Sequence, residues 1–235
     1  MRATMCLVQR SSRMKIPGES DEYRRARDEL LQSEIELRRQ EEAVAAKRRA
    51  LPLGGEAPTD YVFEGQGGPV SLSELFDDGK DTLFLYSFMF IPGEQGLPLE
   101  GPCPSCTSII DALDGEIPHI VQRMNVAVSA KAPLEQFQAH AQRRGWRHTR
   151  LLSSAGNTYN VDYGTEAPDG SQLPIATVFT RRNDRIHHFW SSELFDAPTD
   201  LGQHPRHVDF TWPLWKMLDL TPEGRGTDFH PQLEY

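Results

Sequence analysis

The sequence is poor in cysteine and has no long hydrophobic run, and each shortage excludes a class of protein. Three cysteines in 235 residues are too few for a disulfide-stapled scaffold. The longest apolar stretch, Leu83 to Pro92, is far shorter than the roughly 20 residues of a membrane-spanning helix. The N-terminal residues have neither the apolar core nor the small-residue cleavage site of a secretory signal. The sequence therefore predicts a cytoplasmic protein.

The chain also lacks an excess of basic charge. Its 34 acidic residues outnumber its 25 basic residues, which gives a formal net charge of −9. An acidic chain is not expected to bind nucleic acid or an anionic membrane surface, because both are themselves negatively charged. Hydrophobic residues still make up 38% of the sequence, which is enough for one globular domain with extensions.

Two of the three cysteines lie close together, in the sequence Cys103-Pro-Ser-Cys106, between an apolar run and a helical pattern. A helix N-terminus stabilises a thiolate, and the thiolate is the nucleophile of thiol–disulfide exchange. Pro104 suits the first helical position, since it has no N–H group to leave unpaired. The spacing predicts a redox pair in which Cys103 attacks and the more buried Cys106 resolves the mixed disulfide. The third cysteine, Cys6, lies in a segment without a periodic pattern, and we interpret it as an incidental thiol.

The N-terminal part of the chain is predicted to be a disordered tail, residues 1–20, followed by one long helix, residues 21–51. Ser20 is the predicted N-cap, and Pro52 ends the helix. Apolar residues recur along it every seven positions: Tyr23, Leu30, Leu37, Val44 and Leu51. Such a narrow stripe suits contact with one other element. Two alternatives are open: the helix lies on its own domain, or it is an arm that forms a homodimer.

Residues 60–220 have the pattern of an α/β domain, and residues 221–235 are a polar tail. Short apolar runs predict strands, and several of the stretches between them have helical spacing. Strands are predicted at 61–63, 82–90, 125–130, 148–153, 174–180 and 185–190, and helices at 103–123, 133–144 and 207–218. The run 82–90 is nearly continuously apolar, which is typical of a strand buried on both faces. The last two strands are predicted to form an antiparallel hairpin.

The predicted order is a strand, the CxxC helix, a strand, a helix and a strand, followed by a hairpin and a final helix. This order resembles the thioredoxin fold, which implies a central mixed sheet flanked by helices. Pro174 directly precedes the apolar strand Ile175–Phe179, and it matches the position at which that fold has a cis-proline facing the disulfide. The resemblance therefore implies a cis Leu173–Pro174 peptide. It also implies that Pro174 belongs to the catalytic site, where its backbone would face the substrate and keep metals off the dithiol.

Longer segments resemble one family over residues 14–226. These segments are KIPGESDEYRRARDELLQSEIELRRQ, LPLGGEAPTDYVFEG, LSELFDDGKDTLFLYSFMF, CPSCTSIIDALDG, RGWRHTRLLSS, HHFWSSELF and RHVDFTWPLWKMLDLTPEGRG. They look like the DUF899 family, whose members are described as thioredoxin-like, predicted dithiol-disulfide oxidoreductases. The resemblance implies a Cys103–Cys106 pair that acts on a thiol or disulfide substrate, either a protein or a small molecule, without a bound cofactor.

A copper- or zinc-binding protein is the main alternative, because two thiolates and an imidazole make a soft metal site. The cysteine ligands would be Cys103 and Cys106. The third ligand would be one of four histidines: His187, His188, His204 and His207. Since His187 and His188 are neighbours on one predicted strand, only one of them can face such a site.

Two further alternatives have less support. The segment LSELFDDGKDTLFLY also resembles peroxiredoxins, but neither Cys103 nor Cys106 follows a proline at the spacing of the peroxiredoxin active loop. The other alternative is an interaction module in which the cysteine pair stays reduced and inert. Free cysteines are often buried as core residues, so such a pair would need no chemical role. Three tryptophans near the C-terminal elements, Trp190, Trp212 and Trp215, either line a pocket or pack in the core, as such residues usually do.

Overall fold

The computed structural model describes residues 14, 16–77, 79–91, 101–193, 198, 200–201, 209–224, 226–227, 229 and 231–233. The predictions for Cys6, His204 and His207 lie outside these residues, as does the stretch 92–100 before the CxxC sequence. The chain divides into two compact units between Leu51 and Pro52.

The first unit contains one long helix, α1 (Asp21–Arg49). Ser20 is its N-cap, and the hydroxyl of Ser20 accepts a hydrogen bond of 3.1 Å from the N–H group of Tyr23. Acidic residues in the first turn and basic residues in the last turn both favour the helix dipole. The seven-residue stripe is largely exposed, since Tyr23, Leu30 and Leu37 each have more than half of their surface accessible.

The second unit is built on a mixed sheet of seven strands within the described residues. In chain order the strands of this unit are β1 (Val62–Gly65), β2 (Gly68–Ser71), β3 (Thr82–Phe88), β4 (Phe90–Ile91), β5 (Gly101–Pro102), β6 (Asn125–Ala130), β7 (Leu151–Ser153), β8 (Ala176–Arg182) and β9 (Arg185–Ser191). The sheet has the order β2-β1-β7-β6-β3-β8-β9, and β4 pairs separately with β5. Strand β3 is parallel to β6 and antiparallel to β8.

The second unit also contains five α-helices within the described residues. They are α2 (Pro104–Asp114), α3 (Ile117–Ile120), α4 (Leu134–Arg144), α5 (Tyr159–Asp162) and α6 (Pro213–Leu218). The chain passes from β3 through α2 and α3 to β6, and from β6 through α4 to β7, since parallel neighbours need a crossover. Strands β8 and β9 form a hairpin, and its turn residues Asn183 and Asp184 have positive φ angles. This arrangement confirms the predicted thioredoxin-like α/β fold.

Strand β3 supplies side chains to a separate core on each face of the sheet, which explains its nearly continuous apolar sequence. Leu83 and Leu85 pack in one core, together with aromatic residues of β1 and β8. Tyr86 and Phe88 pack in the other core, which also contains Cys103, Cys106, Phe137, Trp212 and Trp215. We call this second cluster the cysteine core. Both cysteines are therefore packed beneath one face of the central strand.

Several predicted boundaries differ from the structure, and prolines account for two of the differences. Pro133 is the N-cap of α4 rather than its first residue, and Pro213 begins α6 rather than interrupting a longer helix. The missing N–H group of proline is tolerated at a helix start but not in a helix interior. The strand predicted at 148–153 begins only at Leu151, because the backbone N–H groups of 147–149 bond instead to Asp114.

Asp114 fixes the C-terminal end of α2 to the segment after α4. Its carboxylate is largely buried and accepts hydrogen bonds from the N–H groups of Arg147, His148 and Thr149 and from the Thr149 hydroxyl. Replacing Asp114 with Ala leaves these donors without an acceptor. We expect the free energy of unfolding to fall by about 2–4 kcal/mol. Urea unfolding followed by circular dichroism measures this loss.

The matched control is Asp169→Ala, which removes an exposed aspartate that caps the Ser171 N–H group in a local turn. We expect this variant to be much less destabilised, because the freed N–H group can bond to water. Equal losses in the two variants would contradict the role given to Asp114.

Candidate active site

Cys103 is the N-cap of α2 and is held there by its backbone. Its N–H group donates to the Met89 carbonyl at 3.0 Å, which ties the helix start to the end of β3. Its carbonyl accepts from both the N–H group and the hydroxyl of Thr107, each at 2.9 Å. Pro104 occupies the first helical position, as predicted. The Cys103 side chain therefore lies at the positive end of the helix dipole in a fixed orientation.

Both cysteines are free thiols in this structure and both are buried. Cys103 is the more accessible of the two, with 6% of its surface exposed against 0% for Cys106. Since the two residues are three positions apart on the first turn of one helix, their side chains lie on the same side of it. The geometry thus combines an outer thiol at the helix end with an inner thiol one turn further on.

The two thiols differ in acidity because their surroundings differ. Interaction with the Cys106 thiol, aided by the backbone N–H groups of Cys106 and Ser105, lowers the pKa of Cys103 to about 6, although burial opposes this change. Within the described site, neither N–H group makes a capping hydrogen bond to the Cys103 sulfur, so both act on it as dipoles at the start of the helix. Burial raises the pKa of Cys106 well above its ordinary value. At neutral pH, Cys103 is mostly a thiolate and Cys106 a thiol.

Tyr86 contacts the inner thiol directly. Its phenol donates a hydrogen bond to the Cys106 sulfur at 3.4 Å, and 1% of the residue is exposed. The backbone N–H group of Met89 also acts to lower the pKa of Cys106, against the larger effect of burial, which raises it. The Cys106 sulfur thus lies in an apolar core and accepts a hydrogen bond from the Tyr86 phenol.

A buried histidine lies behind the helix start. The Nε2 atom of His140 is 3.0 Å from the Thr107 hydroxyl, which itself donates to the Cys103 carbonyl. The hydroxyl proton is used in that bond, so His140 must be the donor to Thr107. Burial lowers the pKa of His140 to about 4, and its ring is therefore neutral at physiological pH. Aromatic rings of Phe88, Phe90 and Trp146 pack around it.

Pro174 is not the cis-proline that the fold resemblance implied. The described residues contain no cis peptide bond, so the Leu173–Pro174 bond is trans. The Ile175 N–H group bonds back to the Leu173 carbonyl at 3.1 Å, and this tight turn around Pro174 accommodates its fixed φ without a cis bond. The carbonyl of Ile175 then accepts from the Ser87 N–H group, which leads the chain into β8 beside β3.

Two of the four histidines of the metal hypothesis, His187 and His188, lie in the described residues, and neither forms a metal-binding group with the cysteines. His188 stacks on Tyr163 and packs against Phe179, which lies in the core on the opposite face of the sheet. His187 lies on β9, the strand next to β8, and its Nδ1 atom is 3.2 Å from the carbonyl oxygen of Gly54. Among the residues that the structure describes, no group of three or more His, Cys, Asp or Glu side chains is arranged to hold a metal ion.

The three tryptophans were predicted either to line a pocket or to pack in the core, and the structure shows both. Trp212 and Trp215 are buried in the cysteine core, and Trp190 packs against it. Trp212 also donates from its indole to the Ser108 hydroxyl of α2 at 3.0 Å. In addition, Trp212 lines a cavity of about 500 Å³ beside the C-terminal end of α2, together with Phe84, Leu113, Met124 and Phe210. These tryptophans are thus core residues, and one of them also borders a cavity.

Tyr86, Thr107 and His140 are site residues that the sequence analysis missed. The alternation of β3 could have placed Tyr86 on the same face as Phe84 and Phe88. Nothing local connects His140 to the cysteines, since it is 33 positions from Thr107. Its contact with α2 arises only when α2 and α4 pack on the same face of the sheet.

Comparisons with solved structures find peroxiredoxin-like proteins. Peroxidoxin BcpB from Mycobacterium tuberculosis is 20% identical over 60% of this chain and 84% of its own, with a TM-score of 0.43. A peroxiredoxin-like protein from Aquifex aeolicus is 10% identical over 60% and 75% of the two chains, with a TM-score of 0.43. PrxQ from Xylella fastidiosa is 11% identical over 60% and 84%, again with a TM-score of 0.43. Likenesses of this strength carry no information about activity.

No curated protein matches the chain significantly. The helices of the described residues include none that is both long and apolar enough to cross a membrane. A family profile described as "Bacterial protein of unknown function (DUF899)" matches residues 13–234. Since that match covers nearly the whole sequence, the chain belongs to the DUF899 family.

Proposed function

We propose that this protein is a thiol–disulfide oxidoreductase that uses Cys103 and Cys106 as its redox pair. The observation that carries the proposal is the position of the pair at the start of α2, where the outer thiol is acidic and the inner thiol is not. An acidic outer thiolate followed by a protonated thiol one turn away is the arrangement that two-step exchange requires.

In the first step, the Cys103 thiolate attacks one sulfur of a substrate disulfide. A new S–S bond forms to Cys103, and the other substrate sulfur leaves with the electron pair and is protonated. In the second step, Cys106 loses its proton and attacks the Cys103 sulfur, which releases the remaining substrate sulfur as a thiolate that takes up a proton. Two electrons pass from the dithiol to the substrate, and the protein is left with a Cys103–Cys106 disulfide. The reverse sequence oxidises a substrate dithiol.

Stoichiometry with Ellman's disulfide, a chromogenic aromatic disulfide, tests the proposal. A Cys6→Ser background leaves Cys103 and Cys106 as the remaining thiols, since the chain has three cysteines. A redox pair releases two equivalents of thionitrobenzoate and ends as an unlabelled internal disulfide by mass spectrometry. A protein that keeps both labels, or that releases none, would refute the proposal. Copper or zinc in protein purified without oxygen would instead support the metal-binding alternative.

The lowered pKa of Cys103 predicts how the rate of its alkylation depends on pH. Because the pKa of Cys103 is lowered to about 6, its thiolate fraction rises as the pH increases through 6 and is nearly complete at pH 8. We expect the rate of alkylation by iodoacetamide to follow a single titration with its midpoint near pH 6, whereas an ordinary thiol titrates at about 8.5. Peptide mapping of the alkylated protein assigns the rate to Cys103. A midpoint above pH 8 would contradict the proposed thiolate.

The remaining parts of the assignment are also proposals. Pro174 would belong to the part of the site that faces the substrate. It lies two residues before Ala176 of β8, and Ala176 is the register partner of Tyr86, which contacts Cys106. The exposed stripe of α1 would support a homodimer, and the low number of cysteines would fit a cytoplasmic location. The substrate would be a thiol or disulfide, in a protein or in a small molecule.

A further inference from the structure

The second step of exchange places a negative charge in an unfavourable location. Cys106 has no exposed surface and lies in the cysteine core among aromatic and aliphatic side chains. A thiolate in such surroundings loses its hydration, and the loss opposes ionisation. Resolution of the mixed disulfide nevertheless requires Cys106 to react as a thiolate. Some group near this sulfur must therefore offset the cost of the charge.

We infer that Tyr86 is a catalytic residue of the resolving step, in which its phenol donates a hydrogen bond to the Cys106 sulfur as negative charge develops there. The inference rests on the proposed function and adds to it a residue outside the CxxC sequence. Its basis is the 3.4 Å contact between the phenol oxygen and the sulfur, in a position where neither group can exchange its partner for water.

The backbone keeps the phenol of Tyr86 in place. Tyr86 lies in the middle of the sheet, where it is paired with Val128 of β6 on one side and with Ala176 of β8 on the other. Strands on both sides prevent the residue from moving away from the helix. Within the described structure, the Cys106 sulfur is the one hydrogen-bond partner of this phenol. The donor is therefore already directed at the reacting atom before the reaction begins.

The strength of this hydrogen bond depends on the charge of the sulfur. A neutral thiol is a weak acceptor, whereas hydrogen bonds to an ionised group are roughly twice as strong as neutral ones. The contact therefore stabilises the charged transition state of the second step more than the ground state, which is the condition for catalysis. The Met89 N–H group acts on the same sulfur in the same sense.

Tyr86 acts as a donor and not as a base. Burial raises the pKa of its phenol well above the ordinary value, so the phenol keeps its proton throughout. The proton of Cys106 leaves with the departing substrate thiolate, which is released as a thiol. The S–S bond between substrate and Cys103 breaks, the Cys103–Cys106 bond forms, and Tyr86 is unchanged at the end.

Stopped-flow kinetics with Ellman's disulfide separate the two steps in the Cys6→Ser background. The first phase, attack by Cys103, depends on the reagent concentration, whereas the second phase, resolution by Cys106, does not. We expect Tyr86→Phe to leave the rate constant of the first phase within about twofold of the parent value. The rate constant of the second phase should fall by about tenfold or more, because enzymes that lose a preorganised hydrogen-bond donor are slowed at least this much. The midpoint of the second phase in a pH profile should also move to higher pH.

The matched control is Tyr159→Phe. Tyr159 is also fully buried, and it packs in the core on the opposite face of the sheet. The same chemical change at that position should leave both phases unaltered. If Tyr86→Phe does not fold, replacement of Tyr86 by 3-fluorotyrosine keeps the hydroxyl and makes it a stronger donor. The second phase should then become faster.

Each outcome of these measurements decides the inference. A second phase that is unchanged in Tyr86→Phe, or that is slowed equally by Tyr159→Phe, overturns the role of Tyr86 and leaves the proposed function intact. Equal slowing of both phases indicates a structural effect and overturns it as well. Absence of the first phase in the parent protein refutes the proposed function, and the inference falls with it.

Discussion

Replacing Cys103 with Ser abolishes thiol–disulfide exchange, and the rate constant for reaction with a disulfide at pH 7 falls by at least about a thousandfold. The hydroxyl of serine stays protonated at this pH, and even when ionised it does not take part in disulfide exchange. The partner thiol cannot replace Cys103, because Cys106 is fully buried and its pKa is raised well above the ordinary value. Stopped-flow measurement of thionitrobenzoate release in the Cys6→Ser background gives the rate.

The control for this variant is Ser105→Ala, which alters the residue between the cysteines without touching a sulfur. Only the backbone N–H group of Ser105 contributes to the lowered pKa of Cys103, so the side-chain change should leave the rate within about twofold of the parent. Rapid exchange that persists in Cys103→Ser would show that Cys106 is the nucleophile. That result would contradict the assignment of the two roles.

Replacing Cys106 with Ala stops turnover but not the first attack, and the protein accumulates as a mixed disulfide. One label should remain on Cys103, visible by mass spectrometry, since no inner thiol is present to displace it. A second effect follows from the acidity of the pair. Interaction with the Cys106 thiol is the largest cause of the lowered pKa of Cys103, so that pKa should rise towards its ordinary value in this variant. Attack at pH 6 should then be slower, while attack at pH 9 should change little.

Comparison of Cys106→Ala with Cys106→Ser separates these two effects. The serine hydroxyl can still donate to the Cys103 thiolate, so it should keep part of the lowered pKa while it also fails to resolve the mixed disulfide. Both variants should therefore trap the substrate, but with different pH profiles. Continued turnover in either variant would mean that the resolving thiol is not Cys106.

The features of the site that sequence could predict are those that depend on neighbouring residues. The position of Cys103 at a helix start follows from Pro104 and the apolar spacing behind it, and the structure has that helix from Pro104. The burial of β3 on both faces follows from its lack of polar alternation. The hairpin of β8 and β9 follows from two apolar runs separated by polar turn residues.

The features that sequence could not predict depend on contacts between distant parts of the chain. His140 reaches α2 only through the packing of α4, and its neutral state results from burial in that arrangement. The predicted cis bond at Pro174 was wrong, because it came from a resemblance between folds and not from the local turn that this chain forms. The metal hypothesis offered His187 or His188 as a third ligand, but His188 packs in the core on the opposite face of the sheet, and among the described residues neither histidine forms a metal-binding group with the cysteines.

The reduction potential of the Cys103–Cys106 couple tests the central claim most directly. Full-length protein is equilibrated in thiol–disulfide buffers of graded potential, quenched with acid, alkylated and counted for free thiols by mass spectrometry. The proposed function predicts one two-electron transition from dithiol to internal disulfide, with a midpoint in the range of known exchange proteins, about −270 to −120 mV. A pair that keeps both thiols free at every potential up to the most oxidising buffer would contradict it.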